Sequence, residues 1–544
     1  MAPGETASIE SKSVAELCAL VRGLIGEVER LGAENREARA RIEALSRENL
    51  ELKAEIRRLK GLPPRPPAQS SGMEKATDPA KQAAAGGAQP AARRRGPGAS
   101  KLKIDETVTL RVEAPEGSRH RGYEDLIVQD IVFSARATLY RRERRETPEG
   151  EIVTAPGPAG VIGGCGPHLH RLVLMLHFKG QMTCERITGL LNDAGASISK
   201  RQVVRLLTAK LDVFAAEEAA VFETGLKTSP YITVDDTGAR HAGKSAYTTQ
   251  FGSARFTAFR TGAQKSRLAF LRHLLGGAAR FEVNAEALAY MRAVGVAPSL
   301  REALERSERR NFADEREWSA HLDGLALSLK RGVLDPYRLA SEAALWGAIR
   351  AQGRLEGTVI VSDEAGQFRV GDHALCWVHA ERLVQKLIPA NALQENAIEV
   401  FKRMVWWFYG RLKSFKAAPS PQLAAELSAG FDRIFLRRTR YQGLSALLKR
   451  LAARKSELLR VLQRPEIPLN TNASENDIRT VVIKRKISGG TVSEKGRDAR
   501  DVMLGLAKTC AKLRLSFFEY LGDRIGIPAP HIPPLATLVS PAQS

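Results

Sequence analysis

Three acidic residues stand where short strands and a basic helix could bring carboxylates together. Tyr231-Ile-Thr-Val-Asp235-Asp236 and Thr358-Val-Ile-Val-Ser-Asp363 each run from a β-branched stretch into an aspartate, and Glu475 opens a basic helical segment. An aspartate inside a strand is costly unless a charge compensates it, and a divalent cation such as Mg2+ or Mn2+ does so. Two such ions could activate a water or a 3′-hydroxyl and stabilise the leaving oxygen of a phosphodiester. From spacing alone, both aspartates could also be turn residues that end their strands.

The net charge favours a polyanionic partner. The 544 residues include 83 Lys and Arg against 61 Asp and Glu, which gives +22 at pH 7 and a pI near 9.9. Each neutralised phosphate releases condensed counterions, so this balance favours DNA, although a protein can also be merely soluble and basic. No long apolar run and no signal-peptide pattern occur, and the five scattered cysteines favour reduced thiols. We expect a cytoplasmic protein that does not contact a membrane.

The first sixty residues carry a heptad pattern. Leucines recur every seven residues from Leu17 to Leu59, with Ala38 in one place, and the companion positions are mostly Val or Ile with Asn35 and Asn49 among them. This pattern predicts a parallel two-stranded coiled coil, because each asparagine can pair with its twin across a dimer. The alternative is a single amphipathic helix packed on the rest of the protein. The segment holds eleven basic and eleven acidic residues, so we expect it to dimerise while another region binds DNA.

Composition and periodicity divide the chain further. Residues 161–225 suggest two helices, a glycine-containing turn and a third helix that begins near Ser199, an order that resembles a helix-turn-helix. Lys200, Arg201 and Arg205 give this third helix a basic face, although helical hairpins are also ordinary packing units. We predict six segments: a coiled coil (1–60), a flexible linker (61–103), a small β-rich region (104–160), a helix-turn-helix-like region (161–225), a catalytic domain (226–525) and a C-terminal tail (526–544).

The elements around the acids suggest an α/β domain. Strands at Ala246–Ser253 and Ala254–Arg260 would continue the Tyr231 strand as a meander, and a helical stretch would separate them from the strand that ends at Asp363. After Glu475, residues 476–516 hold ten basic residues against four acids. The basic residues predicted to contact the DNA backbone here are Lys484, Arg485, Lys486, Arg497 and Arg500. They could instead form a solvated face.

Several motifs together resemble the DDE transposases of the bacterial insertion-sequence-66 (IS66) family. They are Val234-Asp235-Asp236-Thr-Gly238, Ser362-Asp363, Cys376-Trp-Val-His379-Ala-Glu-Arg382, Asn470-Thr-Asn-Ala-Ser-Glu475-Asn-Asp-Ile-Arg479 and Lys484-Arg-Lys486-Ile-Ser-Gly-Gly490, in that order. The similarity covers roughly residues 167–521, and the leucine zipper matches the usual N-terminal arrangement.

The resemblance implies a ribonuclease-H-like mixed sheet with helical insertions and a metal-binding triad of Asp235, Asp363 and Glu475, with Asp235 favoured over Asp236. The implied chemistry is nicking of element ends by water and joining of the freed 3′-hydroxyl to target DNA. The implied partners are double-stranded DNA, a second copy of the chain through the coiled coil and possible accessory proteins of the element. The protein would be bacterial and nucleoid-associated when bound to DNA.

The chain departs from the family pattern in three places. Residues 104–160 contain no Cys-x-x-Cys, so no zinc is expected. Asp236 stands where glutamate is common, and Glu364 replaces a glycine, where it could disturb the metal site or point to solvent. These changes leave open a catalytically inactive DNA-binding regulator. Cys376 and His379 could be half a metal site, but related transposases favour a structural pair that supports the active site.

Overall fold

The computed structural model describes residues 72–77, 104–111, 119, 123–124, 126–325, 335–528 and 530–540, together with scattered positions between 23 and 55. The chain divides into two compact units, residues 1–71 and 72–544. In the first unit every described position is helical. Most heptad positions, including Asn35 and Asn49, lie outside the described residues, so the coiled coil and the dimer remain predictions.

The second unit combines a mixed sheet with many helices, which confirms the expected α/β class. Its described strands are β1 (Arg144–Glu146), β2 (Ile152–Thr154), β3 (Tyr231–His241), β4 (Lys244–Gly252), β5 (Thr257–Gly262), β6 (Phe281–Glu282), β7 (Asn311–Phe312), β8 (Val359–Ser362) and β9 (His373–Leu375). The main sheet has the order β5-β4-β3-β8-β9. Strand β4 is antiparallel to β3 and β5, whereas β3, β8 and β9 run parallel.

The helices alternate with and follow these strands. Those described are α1 (Met73–Ala76), α2 (Pro167–Leu174), α3 (Cys184–Asp193), α4 (Lys200–Thr208), α5 (Leu211–Thr228), α6 (Arg267–Leu275), α7 (Ala285–Val294), α8 (Pro298–Arg306), α9 (Glu315–Gly324), α10 (Pro336–Ala351), α11 (Trp377–Gln385), α12 (Ala392–Ala417), α13 (Pro421–Phe435), α14 (Gln442–Ala452), α15 (Lys455–Leu458), α16 (Asn472–Ser488), α17 (Glu494–Lys512), α18 (Phe517–Ile525) and α19 (Leu535–Val539). No described helix is both long enough and apolar enough to cross a membrane.

Apolar side chains cover both faces of the sheet. Because side chains alternate along a strand, Ile360 of β8 packs with Ile232 and Val234 of β3 in one hydrophobic core, while Val359 and Val361 belong to a second core. The second core includes aromatic residues of α11 and α13, among them Phe431 and Phe435, which stack with their centroids 4.2 Å apart. The sheet is therefore a rigid central layer, and residues just past its strand ends are held in place.

The helices of residues 161–225 form as predicted. The Ser199 hydroxyl accepts a hydrogen bond from the Gln202 amide, and the Gln202 side chain accepts one from the Ser199 amide. This reciprocal capping box fixes the start of α4. Helix α4 packs against both α2 and α3, with Val203 and Leu206 buried.

Four sequence predictions need correction. Strand β5 begins at Thr257 rather than at Ala254, because the Ser253 amide bonds to the Phe256 carbonyl and closes a turn between β4 and β5. The region predicted as β-rich, residues 104–160, contains among its described residues only the short hairpin in which β1 pairs with β2.

The third correction concerns the predicted linker, which contains the helical turn α1 with Met73 fully buried. The predicted C-terminal tail also includes a packed helix, α19, whose Leu535 and Val539 are buried.

Close packing between α10 and β6 gives a test of this fold. A methyl group at Gly347 would overlap the Glu282 carbonyl oxygen and lie 3.0 Å from the Ala287 Cβ. We expect Gly347→Ala to lower the free energy of unfolding by about 2 kcal/mol or more, because the packed backbone cannot easily give way. Gly189→Ala in α3 meets no atom within 4 Å and should be neutral or slightly stabilising. Urea unfolding of both variants measures this difference, and equal midpoints would contradict the packing described.

Candidate active site

Parallel pairing brings two of the predicted acids side by side. Strands β3 and β8 pair with Tyr231 opposite Val359 and Thr233 opposite Val361. Two residues further along, the same register places Asp235 beside Asp363, which directly follows β8. The backbone geometry of neighbouring parallel strands therefore sets these two carboxylates at one level.

Asp235 lies in an environment that disfavours its charge. Burial, together with the nearby carboxylates of Asp363 and Asp236, raises the pKa of Asp235 to about 7, even though a hydrogen bond from the Asp236 amide and the attraction of His379 lower it. Such a shift marks a carboxylate close to another acid and short of positive charge. A bound cation would relieve this repulsion.

Both carboxylate oxygens of Asp236, the neighbouring acid, accept hydrogen bonds. Its Oδ1 accepts a hydrogen bond from Lys265 at 2.6 Å, and its Oδ2 accepts one from Gln367 at 2.7 Å. These contacts tie β3 to the start of α6 and to the turn after β8. Since both oxygens of Asp236 have partners, the geometry favours Asp235 as the free carboxylate of this pair.

Glu364, which replaces a glycine common in the family pattern, forms an ion pair. Both of its carboxylate oxygens accept hydrogen bonds from the Arg450 guanidinium of α14, at 2.8 Å for the Nε bond. The neighbouring Asp363 accepts a bond from the Ala365 amide at 3.0 Å. Neither of the two expectations for Glu364, disturbance of the site or free exposure to solvent, describes this paired arrangement.

Glu475, the third predicted acid, is held by an arginine. Arg382 of α11 donates to both carboxylate oxygens, at 2.7 and 3.1 Å, and His379 Nε2 lies 3.7 Å from Oε1. This bidentate contact joins α11 to α16. Asp477, two residues later, accepts a hydrogen bond from Thr257 at 2.7 Å and pairs with Lys512, which fixes α16 against β5 and α17.

Cys376 and His379 lie beside this pair at the start of α11. The Thr471 amide donates to the buried Cys376 Sγ at 3.3 Å, and His379 Nδ1 is 3.5 Å from the Thr471 hydroxyl. Burial lowers the pKa of His379, but the neighbouring Cys376 and Asp363 outweigh it and raise that pKa overall. The two side chains thus connect α11 to the segment that leads into Glu475.

A cleft of about 270 Å³ opens at this position. It is lined by Asp363, Cys376, His379 and Arg382 together with Lys386 and Arg450. Two acids, Asp363 and Glu364, and several leucine and alanine side chains also line it, while Arg382, Lys386 and Arg450 offer donors that a phosphate could use.

The donor set fits magnesium in part. Among the described residues, no three His, Cys, Asp or Glu side chains come together as a metal-holding group. Magnesium, however, is often held by only one or two carboxylates, with water and substrate phosphates completing its shell. Asp235 and Asp363 satisfy that requirement, whereas Glu475 is occupied by Arg382.

Two of the predicted phosphate-contacting residues are internal. Lys484 is 4% exposed, and its ammonium donates to the carbonyls of His177 at 2.9 Å and Met182 at 3.1 Å. Arg500 is 6% exposed and donates to Asp501 at 2.7 Å and to Thr261. Both side chains join parts of the fold and are not available to phosphates, which corrects the sequence prediction for these positions.

The other basic residues differ in their surroundings. Lys486 is exposed, Arg485 donates to the Gly238 carbonyl, and Arg497 contacts Asp498 at 2.9 Å. On α4, Arg201 and Arg205 are exposed, and Lys200 pairs with Glu185. The basic face predicted for α4 therefore lies at the surface.

Sequence reasoning missed Lys265, Gln367 and the role of Arg382. Lys265 follows β5, Gln367 lies in a short 3-10 turn after β8, and each reaches the acids only through the tertiary fold. For Arg382 a signal existed, since it lies one turn of helix after His379 and therefore on the same side of α11.

Comparison with known proteins indicates the family of this chain. The family model described as "Transposase IS66 family" matches residues 358–499, a stretch that contains Asp363, Arg382 and Glu475. The uncharacterized protein y4jO of Sinorhizobium fredii is 53% identical over 322 residues, which cover 59% of this chain and 99% of y4jO. The chain belongs to the IS66 transposase family. An IS66 transposase acts on DNA, so the acids and basic surfaces described here belong to a DNA-processing protein.

A buried network beneath Asp363 supports the site in this IS66 protein. The Ser362 hydroxyl lies 2.8 Å from His373 Nε2, and His373 Nδ1 lies 3.0 Å from the Glu457 carboxylate. Burial works to raise the pKa of Glu457, yet hydrogen bonds from His373 and Arg454 lower it to about 2. The ionised Glu457 therefore stabilises the folded state.

This network predicts a pH-dependent stability. Because the folded pKa of about 2 lies below the ordinary 4.5, the stabilisation by Glu457 is complete above pH 4.5 and is lost as the pH falls toward 2. We expect Glu457→Gln to lower the free energy of unfolding at pH 7 by about 1 to 3 kcal/mol, with a smaller effect at pH 4. Urea midpoints at pH 7, 5 and 4 measure it, and exposed Glu426→Gln serves as the control. A pH-independent difference would count against the ionised network.

Proposed function

We propose that this protein is a DDE-type DNA transposase that nicks the ends of its insertion sequence and joins the freed 3′-hydroxyl to target DNA. The observation that carries the proposal is the parallel register of β3 and β8, which sets Asp235 beside Asp363 in a region where their charges repel. Two carboxylates that repel each other, next to a cleft lined by Arg382, Lys386 and Arg450, are suited to a divalent metal and a phosphodiester.

The sheet supports a ribonuclease-H-like fold for this domain. A three-stranded antiparallel meander, β3 to β5, is followed by two strands that extend the sheet in parallel from β3. This order is compatible with the ribonuclease-H-like sheet that we propose. The helical insertion α6–α10 lies between the meander and β8, as a ribonuclease-H-like domain with insertions would require.

Mg2+ or Mn2+ would be held by Asp235 and Asp363, with Glu475 as the third carboxylate once it exchanges the Arg382 guanidinium for the metal. When bound, such an ion activates a water or 3′-hydroxyl and stabilises the leaving oxygen. Lys265 and Gln367 hold Asp236 away from the reaction, and the bonds of Asp477 keep the Glu475 helix against the sheet. Arg382 and Lys386, in the cleft wall, would position the scissile phosphate.

Double-stranded DNA would be bound by α4 and by the exposed part of the basic helix α16. Lys200, Arg201 and Arg205 form the proposed contact on α4, and Arg485, Lys486 and Arg497 form the one near Glu475. Helix α4 packs on both α2 and α3, and if these three helices form the predicted helix-turn-helix, α4 would enter a DNA groove.

We further propose a homodimer through the N-terminal coiled coil, cytoplasmic location with nucleoid association on DNA, and possible use of accessory proteins. The alternative, an inactive regulator, was suggested by Glu364 together with the missing Cys-x-x-Cys and Asp236, and the binding of both Glu364 oxygens to Arg450 weakens the first of these reasons.

The central test is cleavage of DNA that carries the ends flanking the gene. With magnesium, the wild-type chain should nick 3′ ends, and Asp363→Asn should reduce the rate by at least about a thousandfold, because the metal loses a ligand. Affinity for DNA should be unchanged or higher, since negative charge is removed beside the phosphate. The matched control, Glu364→Gln, makes the same charge change one residue later and should keep most of the activity. Cutting by Asp363→Asn at the wild-type rate would show that the acid assignment is wrong.

The α4 surface gives an independent test. Replacing Arg201 and Arg205 by alanine should weaken DNA binding and reduce the slope of log K against log salt by about 2, because each lost phosphate contact contributes about 0.9. Exposed Arg316→Ala on α9 removes a similar charge and should leave the slope nearly unchanged. Fluorescence anisotropy between 50 and 200 mM salt would measure both, and identical slopes for all proteins would exclude α4 as the contact surface.

A further inference from the structure

A short piece of the predicted linker is bound to the catalytic body. Residues Gly72–Thr77, which we call the anchor, include α1 and directly follow the first compact unit. Met73 is 0% exposed and lies in the same hydrophobic core as Trp377 and Phe408. Burial of a whole methionine side chain is favourable, so the Met73 contact helps to hold the anchor at this position.

Glu74 gives the anchor a specific polar contact. Its carboxylate accepts hydrogen bonds from the buried Tyr409 hydroxyl and, at 2.9 Å, from the Asn470 side-chain amide. Lys413 pairs with the same carboxylate at 3.1 Å and donates to the Glu74 carbonyl at 2.8 Å. Three groups from two distant parts of the chain therefore converge on one anchor residue.

The contact with Asn470 leads directly to the active-site helix. The Asn470 Nδ2 donates to Glu74 and to Tyr409, which fixes the orientation of its amide. Its Oδ1 then accepts a hydrogen bond at 3.1 Å from the amide of Asn472, the first residue of α16. Glu475 lies on the first turn of this helix, so the anchor holds the segment from which this carboxylate projects.

We propose that Glu74 is a positioning residue and that the anchor couples the N-terminal region of the chain to the Glu475 end of the active site. The inference rests on the proposed strand-cleavage function. The docked anchor fixes the orientation of the Asn470 amide, and this amide fixes the position of the first residue of α16. The start of α16 in turn fixes the position of the Glu475 carboxylate. Any rearrangement of the N-terminal region that withdraws the anchor lowers the cleavage rate without touching the DNA-binding surfaces.

The first experiment measures single-turnover nicking at saturating DNA by the full chain. Glu74→Ala should slow nicking about tenfold while the Kd for DNA changes less than twofold. Glu74→Gln should recover most of the rate, because its amide oxygen can still accept from Tyr409 and Asn470. The control, Glu399→Ala, removes an exposed glutamate that pairs with Lys402 on the same helix as Tyr409, and should leave the rate unchanged.

A disulfide rescue separates positioning from general loss of structure. A Cβ placed at Gly410 lies 4.0 Å from the Thr77 Cβ, within the 3.5 to 4.5 Å range of disulfides. In the Glu74→Ala background, Thr77→Cys with Gly410→Cys should restore nicking to within about threefold of wild type when oxidised, and not when reduced. Chains with only one of the two new cysteines should show no redox effect.

Amide hydrogen exchange over residues 470–476 tests the coupling without any cleavage. Exchange there should accelerate at least fivefold in Glu74→Ala and stay unchanged in Glu399→Ala. The anchor proposal would be overturned if Glu74→Ala nicked DNA at the wild-type rate, if the disulfide did not restore its nicking rate, or if amide exchange over residues 470–476 did not change. Absence of nicking by the wild type would overturn the transposase proposal instead, and the exchange result would still decide the role of the anchor.

Discussion

The candidate site depends on the parallel pairing of β3 with β8. The register that places Thr233 opposite Val361 also places Asp235 at the level of Asp363, although 127 intervening residues of chain separate them in sequence. A shift of β8 by one residue would move Val359 and Val361 into the core that is packed around Ile360 and would take Asp363 away from the level of Asp235. The hydrophobic alternation that stabilises the sheet therefore also fixes the spacing of the two carboxylates.

Each of the other acids near this pair is bound by a basic or polar side chain. Lys265 and Gln367 bind Asp236, Arg450 binds Glu364, and Arg382 binds Glu475. Asp235 is left with a raised pKa beside Asp363, so the local excess of negative charge is concentrated at one point. Under the proposed metal site, this arrangement would leave Asp235 and Asp363 as the two acids that can bind the ion. It also makes Arg382 the residue that sets the availability of Glu475.

The sequence predicted the elements with a strong local signal. The periodicity and capping residues of α2 to α4 and the strand-to-aspartate motifs appear in the structure, and family order indicated the transposase. It could not predict contacts made by chain segments far apart, such as Lys484 with the His177 carbonyl or Glu74 with Asn470. A lysine in a basic run, such as Lys484, is predicted to bind phosphate unless its burial is known. The proline- and alanine-rich linker contains one buried methionine, Met73, that its composition did not predict. The overall composition of a segment does not show which single residue in it is buried.

The most direct test of metal binding by Asp235 and Asp363 locates the bound metal on the polypeptide itself. Iron(II), bound in place of magnesium, generates radicals with ascorbate and peroxide that cut the backbone next to its ligands. If the two aspartates bind the metal, two sets of fragments should form, ending near Asp235 and near Asp363. Excess magnesium should suppress them, and they should be lost in Asp363→Asn but retained in Glu364→Gln. Cutting at neither aspartate, or an unchanged pattern in Asp363→Asn, would contradict the proposed metal site.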